Sequence, residues 1–180
     1  MSDRDHVTAR HLRFERVLAA PLATVWRYLV DPELRARWFM GGAIDPRPGG
    51  KITLTMDHDN LSDGDVAFPE RYAPFKGQSW TETITAIDPP RMIAFTWNEG
   101  DQDVPGTVRI ELEDVGAQRT RLVLTHTGLT GPDQATNFGG GWHAHLATLQ
   151  KRLAGEPTPD FWALHAASEK HVAALLSDVA

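Results

Sequence analysis

The feature that most constrains the fold is a change in the spacing of apolar residues along the chain. Between residues 42 and 127 apolar residues recur at about every second position, as at Ile52, Leu54 and Met56. This period is typical of strands with one buried face. Helical spacing flanks that region, because "APLATVWRYLVDPELRARWF" predicts two short helices and "GGGWHAHLATLQKRL" predicts a long one. The pattern therefore indicates an α+β protein.

The predicted order of elements is a strand at 11–19, two short helices, about six antiparallel strands and a long helix that starts near Gly141. Such a sheet has one apolar face to cover, and the long helix is the obvious cover. A sheet that curves around one helix leaves room for a cavity. The segment 57–77 is polar and turn-rich, which predicts a functional lid or a mobile surface loop.

A further helix is predicted at 158–179, after the glycine and proline of "AGEP". Its apolar positions form a stripe: Phe161, Leu164, Val172, Leu175 and Val179. We expect one domain over 1–180, with its core at about 11–154.

Composition excludes several classes of function. The chain of 180 residues has no cysteine and a net charge of −6, which excludes thiolate chemistry and disfavours binding to nucleic acid or to an anionic membrane. No apolar run approaches the ~18 residues of a membrane span, so we expect a cytoplasmic protein without membrane insertion. No phosphate-binding glycine loop is present, and no cofactor is predicted.

Four motifs together point to a known family: "FERVLAAPLATVWRYLVDPELRARWF", "PGGKITLTM", "AIDPPRMIAFTW" and "TRLVLTHTGL" followed by "GGGWHAHLATLQKRL". They resemble the activator of Hsp90 ATPase homologue-like branch of the SRPBCC superfamily, over roughly residues 11–154. The resemblance implies the START/Bet v 1-like helix-grip fold, a curved antiparallel sheet wrapped around a long C-terminal helix. It also implies a deep cavity, used across the superfamily for lipids, hormones, polyketides and other apolar molecules.

The glycine run of the long helix leads into candidate site residues. Trp142 and Leu149 lie on the stripe that we expect to face the sheet, His145 lies on its flank, and His143 should project away. The glycines are expected to let the backbone turn sharply and the helix approach the sheet. Ordinary core packing of Trp142 is the alternative.

Two titratable residues are candidates for acid–base chemistry. His126 shares a strand face with Leu122 and Leu124, so its ring should point inward, either as a structural residue or as a cavity group. Glu82 shares a face with Trp80, but Ile87 has the opposite parity, and the balance favours an exposed Glu82.

The predicted ligand-binding set combines these residues with the aromatic and apolar positions of the sheet and the second short helix. It comprises Trp38, Phe39, Met56, Trp80, Phe95, Trp97, His126, Trp142, His145 and Leu149. No metal site is predicted, because side chains two residues apart on a helix, such as His143 and His145, diverge.

Three functions are consistent with these observations. The favoured one is binding of a small hydrophobic or aromatic ligand between the sheet and the long helix. The second is a cyclase, dehydratase or hydrolase that uses His126 and Glu82. The third is an interaction module, either a homodimer formed through the terminal helix or a chaperone partner. Against the chaperone role, the family's eukaryotic namesake has an additional N-terminal domain for which this chain has no room.

Overall fold

The computed structural model describes residues 3–98 and 105–177, and the helix-grip architecture is clear within them. Seven strands of the described chain form one antiparallel sheet in the order β1-β2-β7-β6-β5-β4-β3. The strands are β1 Arg4–Thr8, β2 His11–Leu18, β3 Lys51–Thr55, β4 Ser79–Asp88, β5 Met92–Trp97, β6 Gly106–Asp114 and β7 Thr120–Thr127. The helices are α1 Leu22–Val30, α2 Pro32–Arg35, α3 Pro132–Ala154 and α4 Phe161–Ser177, with a 3₁₀ helix at Glu70–Phe75. The predicted fold class is therefore confirmed.

The first and third strands differ from the sequence predictions. β1 was not expected, because only Val7 among its residues is apolar and fully buried. The predicted hairpin around Gly49 is reduced to β3 plus isolated bridges, Gly41 to Thr55 and Ile44 to Ile52. β3 instead finds its ladder partner in β4.

One half of the sheet packs tightly against α3. We call β2, β6, β7 and the α3 residues that face them the packed half. In its register Phe14 on β2 lies opposite Leu124 on β7, which lies opposite Ile110 on β6. Leu146 and Leu149 of α3 are fully buried in the same core. This aliphatic layer supplies most of the burial that stabilises the fold.

The long helix begins nine residues before the predicted start. Pro132 occupies its first turn and Asp133 supplies an acid near its positive end, so the helix runs from Pro132 rather than from about Gly141. The three glycines lie inside it. The prediction was wrong because each glycine disfavours a helix by only about 1 kcal/mol, which tertiary packing offsets.

Two of the glycines bring α4 close to α3, and Gly139 also faces the sheet, because a Cβ there would lie 3.4 Å from Cδ2 of Leu12 on β2. A Cβ at Gly139 would lie 2.8 Å from Cγ1 of Val172, and a Cβ at Gly140 would lie 2.9 Å from Cα of Glu169. Side chains at these two positions would push the helices apart. The stripe predicted on the terminal helix is thus used within the chain, although its last member, Val179, lies outside the described residues. Across the described ranges, none of the helices combines the length and apolarity of a membrane span.

Candidate functional site

A cavity of about 360 Å³ lies between α3 and the other half of the sheet, formed by β3, β4 and β5. We call β3, β4, β5 and the walls of this cavity the open half. Its walls also include residues from the 57–77 segment and from α4. The aromatic lining residues are Phe39, His58, Tyr72, Phe75, Trp80, Trp97, Phe138, Trp142, His145, Trp162 and His165.

The aromatic rings support one another in two groups. On the α3 side, Trp142 stacks on Phe39 with ring centroids 4.8 Å apart, and Trp97 lies 5.5 Å from Trp142. On the α4 side, Trp162 stacks on Tyr72 at 5.2 Å and on His58 at 5.5 Å. Such contacts hold large rings in fixed positions.

A buried arginine holds the chain segment that presents Phe39 to the cavity. Nε of Arg35 donates to the carbonyl oxygen of Met40 at 2.8 Å, and Nη2 donates to that of Gly42 at 2.6 Å. Burial lowers the pKa of Arg35 to about 10, so the side chain stays charged at neutral pH. The guanidinium therefore acts as an internal clamp on residues 35–42.

Glu82 is buried and lines the cavity, so the expectation of an exposed carboxylate was wrong. The register of β4 and β5 shifts between Ile84 and Ala86. This bulge explains why Glu82, Ile84 and Ile87 do not follow one parity. Oε1 of Glu82 accepts a hydrogen bond from the backbone N–H of Asn98 at 2.9 Å, and Oε2 accepts from Nδ2 of Asn98 at 2.5 Å and from the hydroxyl of Thr96.

The cavity histidines are held in their neutral form. Nδ1–H of His145 donates to the carbonyl oxygen of Trp38 at 2.8 Å, and burial lowers the pKa of His145 well below its usual range. Burial, reinforced by His165 nearby, lowers the pKa of His58 to about 4. Burial also lowers the pKa of His165 and raises that of Tyr72 to about 12. At pH 7 these rings are therefore uncharged.

The structure brings six of the ten predicted ligand-binding residues together at the cavity: Phe39, Met56, Trp80, Trp97, Trp142 and His145. The other four lie in the surrounding core: Trp38, Phe95, His126 and Leu149. Trp38 is turned away because its Nε1–H donates to the carbonyl oxygen of Tyr28 at 2.9 Å. All ten side chains face inward or the cavity, but residue spacing does not distinguish a side chain that lines a cavity from one beneath it.

The acid–base pair of the enzyme hypothesis is not assembled. Nε1–H of Trp142 donates to Nδ1 of His126 at 3.1 Å, and Nε2 of His126 faces Gly106 on β6. Burial lowers the pKa of His126 to about 3. His126 therefore orients the Trp142 ring and does not line the cavity, whereas Glu82 does.

Several cavity residues were missed by sequence reasoning, notably His58, Tyr72 and Trp162. They come from the 57–77 segment and the start of α4. No local pattern in the sequence predicts that these two segments approach the sheet. The first part of that segment is anchored, because Leu61 is buried and Asp63 pairs with Arg152 of α3 and accepts from the backbone N–H of Thr158. An excess of aromatic residues in an otherwise polar loop is the one signal that could have indicated them.

A separate cluster outside the cavity contains ligand types that metals use. Oδ2 of Asp5 lies 3.6 Å from Nε2 of His143 and 3.3 Å from Nε2 of His171. His143, expected to project away, is thus half-buried between β1 and α4. Arg16 already pairs with the Asp5 carboxylate at 2.5 Å, which opposes a second cation there. The cluster ties β1 to the two helices.

Comparisons with known proteins agree with this architecture. The family model for activator of Hsp90 ATPase homolog 1-like protein matches residues 19–154. The solution structure of the protein encoded by gene BPP1335 from Bordetella parapertussis is 37% identical, with a TM-score of 0.78, and the match covers 95% of this chain and 90% of that chain. CalU16 from Micromonospora echinospora is 20% identical, with a TM-score of 0.70 and coverage of 97% and 98%.

A third match is a conserved protein of unknown function from Enterococcus faecalis, EF2215, with 18% identity, a TM-score of 0.62 and coverage of 97% and 92%. The last two likenesses concern the fold alone. A search of curated proteins found no match.

Proposed function

The chain belongs to the family of activator of Hsp90 ATPase homolog 1-like proteins, and we propose that it binds a small apolar or aromatic molecule in the cavity of the open half. The family and the fold suggest this function in general terms, and the cavity walls suggest the chemistry of the ligand. The cavity volume of about 360 Å³ lies at the small end of the range for ligand pockets, about 300–1,000 Å³.

One observation carries the proposal. Phe75 and Trp80 are the large hydrophobic side chains exposed to solvent in the described ranges, with exposed fractions of 44% and 36%. Both line this same cavity. Exposed apolar surface that gathers around a concave site is typical of a binding site rather than of a closed core.

Titration with the neutral fluorescent probe N-phenyl-1-naphthylamine tests the proposal. Trp80→Ala should weaken binding of the probe about tenfold, since loss of one ring contact removes about 1–2 kcal/mol. Its melting temperature should change little because the ring is partly exposed. Trp26→Ala is the matched control, as Trp26 lies on α1 outside the cavity lining; its affinity should stay within twofold.

Phe75→Ala provides a second cavity variant that also leaves the core intact. Wild-type affinity in both cavity variants would overturn the proposal, and so would an equal loss of affinity in folded Trp26→Ala.

A further inference from the structure

We propose that the molecule bound in this cavity is an organic cation, a protonated amine on an apolar or aromatic body, and that Glu82 is its counter-ion. This inference rests on the proposed ligand-binding function and specifies the chemistry of the ligand. It is carried by three observations on the cavity walls.

The first observation is that Glu82 is a buried carboxylate without a cationic partner. Glu82 is only 3% exposed to solvent. The three hydrogen bonds that its carboxylate accepts come from the neutral groups of Thr96 and Asn98. None of the ion pairs within the described ranges includes Glu82. The residues outside those ranges contain no Lys, Arg or His. Buried charges are normally paired, so a partner from outside the chain would complete this site.

The second observation is that no other group on the walls competes for the carboxylate or repels a cation. The cavity lining includes neither Lys nor Arg among the described residues. Burial keeps the pKa values of His58, His145 and His165 below their usual range, so these rings stay neutral. Arg71, which lies over the Tyr72 ring, is paired with Glu169 at 3.0 Å.

The third observation is the aromatic character of the wall around the carboxylate. Trp97 lies between Thr96 and Asn98, the two residues that hold Glu82, and Trp80 precedes Glu82 by two positions on the same face of β4. The faces of indole rings attract cations, and the attraction grows to about 2 kcal/mol when the cation is desolvated. A carboxylate with indole rings in the same cavity wall is complementary to an alkylammonium group.

The same walls argue against an inorganic cation. Hard metal ions require about six oxygen ligands, whereas Glu82, Asn98 and Asn137 are the carboxylate and amide side chains of the described lining. The remaining surface is largely aromatic and apolar, and it suits the carbon skeleton of an organic molecule.

Three probes of one shape but different charge test the inference: 2-(2-naphthyl)ethylamine, 2-(2-naphthyl)ethanol and 2-naphthylacetate. Isothermal titration calorimetry at pH 7.5 measures each dissociation constant with the unaltered protein. The amine should bind at least tenfold more tightly than the alcohol, and the carboxylate should bind most weakly. Equal affinity for amine and alcohol would overturn the inference but leave the proposed ligand-binding function intact. Failure of all three probes to bind would contradict both.

Glu82→Gln assigns the selectivity to one residue. The variant should lose at least tenfold in affinity for the amine and stay within twofold of wild type for the alcohol. Glu111→Gln is the matched control, because this carboxylate on β6 is exposed and paired with Arg109 on the outer face of the sheet; it should keep the wild-type preference. A folded Glu82→Gln protein that still prefers the amine would overturn the assignment. The probe series on the unaltered protein stands even if the variant does not fold.

Discussion

The packed half and the open half of this molecule cover the same helix, α3, with different kinds of side chain. In the packed half, leucine, valine and phenylalanine side chains from β2, β6 and β7 fill the space beneath α3. In the open half, rings from α3, α4 and the 57–77 segment surround a cavity of about 360 Å³ that also contains a carboxylate and neutral histidines. The difference indicates that the packed half supplies most of the stability of the fold, whereas the open half contains the cavity in which we propose that a ligand binds.

Burial energetics explains why the two halves tolerate different contents. A close-packed aliphatic core gains dispersion and hydrophobic stabilisation from every contact. A wall that borders an empty space lacks contacts on one side, so it contributes less stability per residue. The packed half and the α3–α4 interface supply the contacts that the cavity wall lacks. Substitutions in the two halves should therefore have different effects.

The largest effect is expected from the same substitution made once in each half. Leu124→Ala in the packed half should cost about 3–4 kcal/mol of unfolding free energy, because Leu124 is fully buried between β2 and β6. Leu54→Ala, at the cavity wall, should cost about 2 kcal/mol, since Leu54 already lacks neighbours on one side. Urea unfolding measures both. Equal losses would remove the distinction between the halves.

The next effect concerns the glycines that seat α4 against α3. Gly140→Ala should cost about 1–3 kcal/mol, because the new Cβ would lie 2.9 Å from Cα of Glu169. Since α4 carries Trp162 and His165, binding of N-phenyl-1-naphthylamine should weaken as well. Gly141→Ala is the control for stability: its nearest neighbour would be Nε2 of His165 at 4.0 Å, and alanine is the better helix former. A stability loss in Gly141→Ala as large as that in Gly140→Ala would contradict the account.

A smaller effect on stability is expected from a change in pH, through protonation of His126, which lies where the two halves meet. The pKa of His126 is about 3 in the folded protein and about 6.5 when unfolded. Below pH 6.5 the unfolded chain therefore binds the extra proton, and stability falls as pH falls towards 3. Between pH 7 and pH 5.5 this residue should account for a loss of about 1 kcal/mol.

Urea unfolding of wild type and His126→Gln at the two pH values measures that contribution. The variant should lose less stability on acidification than wild type does, whatever its absolute stability. Identical losses in the two proteins would show that His126 does not carry this pH dependence.

The sequence predicted the fold well because apolar period and chain order suffice to define a sheet that covers one long helix. It predicted the cavity less completely. Glu82 was assigned to the wrong face because a bulge between Ile84 and Ala86 breaks the parity rule. The start of α3 was misplaced because local propensity does not include the contact between Gly140 and α4. His58 and Trp162 were missed because their approach depends on tertiary packing of distant segments, for which the sequence carries no periodic signal.

The most direct test of the central claim uses the indole N–H resonances of the six tryptophans during titration with N-phenyl-1-naphthylamine. Four of them line the cavity (Trp80, Trp97, Trp142 and Trp162), and Trp26 and Trp38 do not. The four cavity resonances should shift with one common dissociation constant while the other two stay unchanged. Shifts confined to Trp26 and Trp38, or no saturable shift at any of the six, would contradict it.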